Sequence, residues 1–377
     1  MRRRQGRIGG RRGRGACAVS FVIRHSSFGD ASGSALIVVL WVVGLLSLLI
    51  ASMAFDAHVE ARISSYYRKR SKAESLARSG IEVANMLLAK RAEIQSPDQQ
   101  APEGDRWFEP ARQLRKGAIR GLTESLGEGT ITLDIVPEPA RRNINNLDVQ
   151  GNRNETEVTE NLVNILEVGG ITEDMNRWPQ LVDSFLDWID ADDRPRPDGA
   201  ETDDYYGTLE PPYRAANRPL ETVEELLLVK GFNRTILFGG TIQPALEGEE
   251  PRSVSGIADL LTVYGDGKVN INSASQRVLM TLPGVDEVIA GTIIEEREGW
   301  VDQAGRRQDT HYQNEDELFR RIPDLDAARV RRYITTADST ICRVTAVGEV
   351  HGVRRTVWCI AEYGGGRLNI IQWWEGD

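Results

Sequence analysis

Hydrophobic positions along the chain fall into three regimes. Residues 35–55 are apolar at almost every step, with Asp30 the last charge before the run and Asp56 the first after it. At 1.5 Å per residue a helix over this run spans about 30 Å, the thickness of one hydrocarbon core. That is too long for the apolar stretch of a cleaved secretory signal. The chain continues as AHVEARISSYYRKRSKAESLARSGIEVANMLLAKR, with no Gly or Pro before Gly80. Val59, Ile63, Tyr66, Ala73, Ala77, Ile81, Ala84 and Leu88 recur at three- and four-residue spacing, one stripe of an amphipathic helix. The pattern predicts a single helix over 34–92, membrane-spanning over 35–55, whose second half packs on a soluble domain.

The third regime alternates. In GTITLDIVP, Ile131, Leu133 and Ile135 face one way and Thr130, Thr132 and Asp134 the other, a half-buried strand ended by Pro137 and Pro139. ICRVTAVGEV, VRRTVWCIAEY and LNIIQWW near the C-terminus read as further strands. A helix on a small antiparallel sheet is an α+β layer. Residues 93–144 would begin that domain, with a loop over PDQQAPEGDRWFEPAR, and 338–377 would complete its sheet. The intervening 145–337 reads as an inserted helical domain with an internal repeat: TVEELLLVKGF, SQRVLMTLPGV and EDELFRRIPDL each give a short helix, a Gly, Pro or Asp turn and a second helical run. The second copy resembles a helix-hairpin-helix element. Asn272 or Ser273 would cap its first helix, and Pro283-Gly284 would form the hairpin.

Charge sharpens the picture. Residues 1–33 carry eight Arg and one Asp, so the chain from Ser34 onward stands at −17 against −10 for the whole. Arginine ahead of the apolar run places the N-terminus in the cytoplasm and the body across the membrane. An acidic body repels nucleic acid and tolerates cations. Helix-hairpin-helix units often hold DNA phosphates, which makes a membrane-tethered DNA-uptake receptor the competing reading. Asp286 and Glu287 where a phosphate would approach, and Asp324 where the third copy would have its hairpin glycine, oppose it.

Of three cysteines, Cys17 lies in the leader, and Cys342 and Cys359 form the candidate disulfide. A turn at Val350-His351 would set the two directly opposite; a turn at His351-Gly352 would leave them diagonal. The densest chemistry is DSFLDWIDADDRPRPDGAETDDYY, nine carboxylates around Pro195, Pro197 and Gly199. Such a turn suits Ca²⁺, a hard cation that takes six to eight oxygens, although the spacing is not that of an EF-hand. The alternatives are a solvated loop, or ion pairing with Arg194, Arg196, Arg214 and Arg218. Trp188, Tyr205, Tyr206 and Tyr213 point to an ordered turn. No nucleophile has a partnered base, and the four histidines are scattered, so catalysis is not expected.

A basic leader ending in Gly33, then Ser34, then an apolar run flowing into an amphipathic helix resembles the type IV pilin precursors. The resemblance implies cleavage between Gly33 and Ser34 by a prepilin peptidase, and N-methylation of the new terminus. Most pilins carry Glu at the fifth mature position. Here it is Val38, which implies a tip or initiating subunit, since a membrane carboxylate needs a partner. LVDSFLDWIDADDRPRPDGAETDDYYGTLEPPYRAANRPLETVEELLLVKGF resembles the signature of the minor pseudopilin K family of type II secretion (general secretion pathway protein K). The resemblance implies a type IV pilin-like fold with a large all-α insert, and a structural Ca²⁺ in that insert. Asp190, Asp192, Asp198, Glu201 and Asp204 are the candidate ligands. It further implies an inner-membrane subunit with a periplasmic body, located at the pseudopilus tip. Its partners would be the I and J minor pseudopilins, with secreted substrate or the outer-membrane secretin as further contacts and no nucleic acid.

Overall fold

A computed structural model describes residues 32–94, 101–148, 154–171, 178–242, 251–299 and 310–376. Helix α1 runs unbroken over Ser32–Glu93. The chain divides into two compact units, Met1–Ser65 and Tyr66–Asp377.

In the first unit every large apolar side chain from Leu36 to Phe55 is exposed. The apolar window of α1 reaches a mean hydropathy of 2.7, long and apolar enough to cross a membrane. Val59 and Ile63 are exposed as well.

In the second unit α1 lies on a five-stranded antiparallel sheet. Helix α2 (Phe108–Lys116) precedes β1 (Ile119–Leu126) and β2 (Gly129–Pro137). The expected stripe on α1 therefore divides. Tyr66 is exposed, like Val59 and Ile63, while Ala73, Ala77, Ile81, Ala84 and Leu88 are buried. Small residues in the buried half let helix and sheet backbones approach closely. A Cβ at Gly80 would sit 2.6 Å from that of Ala346. Ile131, Leu133 and Ile135 are buried as the alternation predicts. Helix α2 falls partly in the stretch read as a loop. Pro110 stands in its first turn, where no intrahelical N–H is needed, and Phe108, Ala111 and Leu114 are buried beneath it.

From Pro137 the chain leaves the sheet. It forms β3 (Arg142–Asn143), α3 (Glu155–Val168), α4 (Trp178–Ile189), α5 (Arg234–Phe238), β4 (Gly240–Ile242), β5 (Arg252–Val254), β6 (Leu261–Thr262), β7 (Val269–Asn270), α6 (Gln276–Met280), α7 (Glu287–Glu298), α8 (Glu315–Arg321), α9 (Ala327–Val330) and β8 (Ile334–Thr335). The short strands pair β3 with β6, β4 with β5 and β7 with β8. These elements share a hydrophobic core running from Ile144 to Ile334, distinct from the core between α1, α2 and the main sheet.

The repeat reads out unevenly. Its second copy is α6, a hairpin at Gly284 (φ +78°) and α7; its third is α8 and α9. The first copy is a 3-10 helix over Val223–Leu228 rather than an α-helix. The cap of α6 is also displaced. Ser275, not Asn272 or Ser273, accepts from the Val278 N–H at 3.3 Å, while Asn272 clamps the Tyr312 backbone with two 2.9 Å hydrogen bonds.

The chain returns as β9 (Ile341–Val350), β10 (Val353–Gly364) and β11 (Arg367–Gly376), giving the sheet order β1-β2-β9-β10-β11. His351 (φ +48°) and Gly352 (φ +79°) make a two-residue turn with both central φ angles positive, the kind that matches strand twist. Cys342 therefore pairs with Ala361 and Cys359 with Val344. The two thiols are diagonal, buried and free, so the candidate disulfide is not formed. Burial pushes Cys342 up to about 12 and Cys359 up to about 11. Iodoacetamide is accordingly expected to spare both in the folded chain and to modify both after denaturation. A Cys342–Cys359 cross-link in a non-reducing digest would contradict this register.

Candidate functional site

The acidic block begins in α4, whose buried face carries Leu181, Phe185 and Trp188 into the insert core. Asp187 lies on the same buried side and is fully enclosed. Its carboxylate accepts from the Arg196 N–H (3.1 Å), the Ala200 N–H (2.8 Å) and Arg196 Nη1 (2.6 Å), folding 196–200 back over the helix end. Gly199 is required there, because a Cβ would collide with Asp187 Oδ2. Lys230 Nζ ties the turn from outside through the Gly199 carbonyl at 2.7 Å. Burial raises the Asp187 pKa, against the pull of the Arg196 hydrogen bonds.

Of the four arginines weighed as counter-ions, Arg196 is the one that enters the block. It bridges Asp187, Asp190 and Glu155 at 2.6–2.7 Å, and its own pKa is raised by those hydrogen bonds. Arg218 pairs instead with Glu221 and Glu225. The aromatic flank is ordered. Trp188 and Tyr206 meet edge to face at 5.0 Å, and Tyr206 and Tyr213 lie 5.3 Å apart. Tyr213 Oη donates to the Leu228 carbonyl at 2.8 Å, and Trp188 Nε1 donates to Glu225 at 3.2 Å.

The five candidate ligands fare differently. Asp190 is shared between Arg196 and the Asp192 N–H, and Asp192 accepts from the Arg194 N–H at 2.9 Å. Asp198 is exposed. Asp204 accepts from the Glu201 N–H at 2.8 Å. Glu201 stands apart: it is 1% exposed, and neither carboxylate oxygen has a hydrogen-bond partner. Burial, with repulsion from Asp187, Asp190 and Asp193, pushes it up to about 7. Among the described residues no three His, Cys, Asp or Glu side chains converge closely enough to hold an ion as they stand. The unmet carboxylate is nevertheless what a cation-binding turn would leave, because a buried carboxylate without a donor is otherwise costly. Sequence reasoning included Glu201 without distinguishing it from its neighbours, since its isolation depends on the fold of 196–206.

At the helix-hairpin-helix element, Asp286 caps α7 and accepts from the Ile289 N–H at 2.8 Å. A carboxylate thus already occupies the helix N-terminus where a phosphate would sit. Gly33 and Ser34 fall at the start of α1, and the leader ahead of them, including Cys17, lies outside the described residues. Val38 is exposed on the apolar helix.

A long helix laid on an antiparallel sheet, with a helical insert between two of its strands, is the architecture of a type IV pilin-like subunit. The family model for type II secretion system (T2SS) protein K matches residues 140–237, the stretch that contains the acidic turn. The type II secretion system protein K of Pseudomonas aeruginosa is 26% identical over 272 residues, covering 71% of this chain and 72% of the relative. That of Pectobacterium carotovorum is 27% identical over 205 residues, covering 53% and 58%. The crystal structure of the GspK–GspI–GspJ complex from the enterotoxigenic Escherichia coli type 2 secretion system matches in fold, with a TM-score of 0.50 at 15% identity. The match covers 85% of this chain and 99% of that one. The chain is thus similar to type II secretion system protein K proteins in sequence, and to one of them in fold.

Proposed function

We propose that this chain is a non-enzymatic minor pseudopilin at the tip of the type II pseudopilus, where it starts or caps assembly for export of folded proteins across the outer membrane. The observation that carries the reading is α1, a single helix whose apolar segment offers no carboxylate and continues, below an exposed stripe, into the helix that holds the sheet. Val38 supplies no acid for the terminal amine of a subunit above it. The insert adds bulk that a repeating subunit would have to bury between neighbours. Exposed Val59, Ile63 and Tyr66 suit the matching helices of two other minor pseudopilins, and the fold neighbour from Escherichia coli is solved with GspI and GspJ. In this reading a prepilin peptidase cuts after Gly33 on the cytoplasmic side of the inner membrane, Ser34 becomes the methylated terminus, and the body lies in the periplasm. The tip position brings the insert to secreted substrate or to the secretin.

The test is to tag the chain and label isolated pseudopili. Label at one end, with co-purification of two other minor pseudopilins, is expected. Label spaced along the shaft would overturn the reading. Mass spectrometry of the extracted protein should find Ser34 first.

The acidic turn is proposed to hold a structural Ca²⁺, with Glu201 as a ligand and Asp190 and Asp204 beside it. Without a cation, the folded chain holds the Glu201 proton up to about pH 7, well above the ordinary carboxyl value of 4.5. The folded state then binds more protons than the unfolded one between those values, so stability falls as pH rises through that window and stays low above it. In metal-free buffer, Glu201→Gln is expected to match the parent at pH 5 and to exceed it at pH 8 by about 1–3 kcal/mol. Millimolar calcium should raise the parent's melting temperature at pH 8 and leave E201Q unmoved. An equal response in both, or none in either, would remove the ion from the proposal.

A further inference from the structure

On the sheet face away from α1, strands β9, β10 and β11 carry a three-layer stack. Val357 and Cys359 belong to the core beneath α1, so alternation turns Trp358 to the other side, and Trp374 stands directly opposite it on β11. The two indoles lie nearly parallel, 3.9 Å apart at 8°, and the Arg343 guanidinium covers Trp358 from β9 at 4.9 Å. Because β11 ends the sheet order, no strand continues the stack beyond Trp374, and among the described residues no second ring or cation lies against it. The stack is fixed from its other end. Glu138, fully buried, accepts from Arg343 Nε at 2.9 Å and from the Thr262 hydroxyl, and pairs with Arg141 at 3.4 Å.

This stack lines a cleft of about 230 Å³ between the sheet and the insert. The insert adds Phe238, 46% exposed at the end of α5, with Glu224 and Asp259. The charged side chains of the lining balance, Arg141 and Arg343 against Glu224 and Asp259. Counting the buried Glu138 and the Arg277 that pairs with Asp259 leaves the balance unchanged. No net charge is left to attract an ion of either sign. Thr222 and Gln372 add neutral donors and acceptors.

The geometry points to this cleft as a binding site for a neutral saccharide, with Trp374 as the platform for one sugar ring. A pyranose has an apolar face of C–H groups and a rim of hydroxyls. The face matches an indole, a large flat surface that attracts without charge. The rim matches guanidinium, carboxylate, amide and hydroxyl side chains, which between them donate and accept. Arg343 and Trp358 are already fixed, so Trp374 is positioned before any ligand arrives and little ordering is left to oppose binding. A concave site between two structural units is a common place for a ligand. The sugar has two possible sources, a free oligosaccharide or a polymeric glycan. This inference does not depend on the tip assignment or on the calcium turn.

The experiment uses the full chain in a detergent without a sugar headgroup, with calorimetric titration and tryptophan fluorescence. The probes are chito-, cello- and malto-oligosaccharides of two lengths, a disaccharide and a hexasaccharide of each, with tetragalacturonate as the charged control. At least one neutral series is expected to bind with a Kd of about 1 mM or tighter and to perturb the fluorescence. An affinity that rises with length identifies a polymeric glycan, and equal affinity for both lengths a free oligosaccharide. Trp374→Leu should weaken binding at least tenfold. Trp373→Leu, on the neighbouring residue that pairs with Cys359 on the other face, should leave it unchanged. An unliganded melt reports that W374L folds. Glu224→Gln, at an exposed position of the lining, provides a second variant, expected to weaken binding at least threefold. No binding by any neutral series, tighter binding of tetragalacturonate, or binding unchanged in W374L (in E224Q should W374L not fold) would overturn the proposal.

Discussion

Gly348→Val is expected to destabilise the chain by about 3 kcal/mol, lowering the melting temperature on the order of 10 °C. Gly348 lies in β9 under α1. A Cβ there would run into the Ala73 carbonyl and would sit 2.7 Å from the Ala77 nitrogen and 2.9 Å from the Leu76 Cβ. Two of those atoms are helix backbone, which cannot rotate away. The helix would have to lift, opening the contact that Ala73, Ala77 and Ala84 make at full burial. Gly364→Val in β10 is the control, because nothing lies within 4 Å of a Cβ at that position. It should change stability by less than about 0.5 kcal/mol. Thermal melts of both variants decide the matter. A folded G348V melting within two degrees of the parent would mean that helix and sheet do not meet as closely as described.

Asp187→Ala should be costlier still, about 3–5 kcal/mol. The substitution strands the buried backbone N–H of Ala200 and the half-buried one of Arg196, and removes one of three carboxylates around the Arg196 guanidinium. Asp187→Asn keeps the shape and one acceptor oxygen, and should recover at least about 1 kcal/mol of the loss. Denaturant melts of the pair separate the two contributions. If alanine and asparagine cost the same, the shape and single acceptor that asparagine keeps contribute nothing, and the whole loss belongs to the charge and the second oxygen.

Most of the architecture was legible because periodicity and turn chemistry agreed. Ile131, Leu133 and Ile135 alternate and are buried; His351-Gly352 lies between two alternating runs and supplies both positive φ angles. What escaped depended on tertiary context. Whether Val59 and Ala73 belong to one buried stripe cannot be read from spacing, since the sheet covers only the second. The α2 helix was obscured by Pro110, which is harmless in a first turn. Three polar residues stood near the start of α6, and only packing chose Ser275 over Asn272. In the acidic turn the residue types announced cation chemistry or ion pairing. Arg196 was one of four equivalent candidates, and the isolation of Glu201 follows from which neighbours the turn consumes.

The excursion that carries all this chemistry departs and comes back at a single rung of the ladder. Pro137, the last residue of β2, is partnered across the sheet by Cys342, near the first of β9. The pilin framework consequently sees the whole helical module as one hairpin bend. Growth, shrinkage or remodelling of that module leaves strand registry intact, so the insert can diversify while the helix and sheet that carry it stay constant.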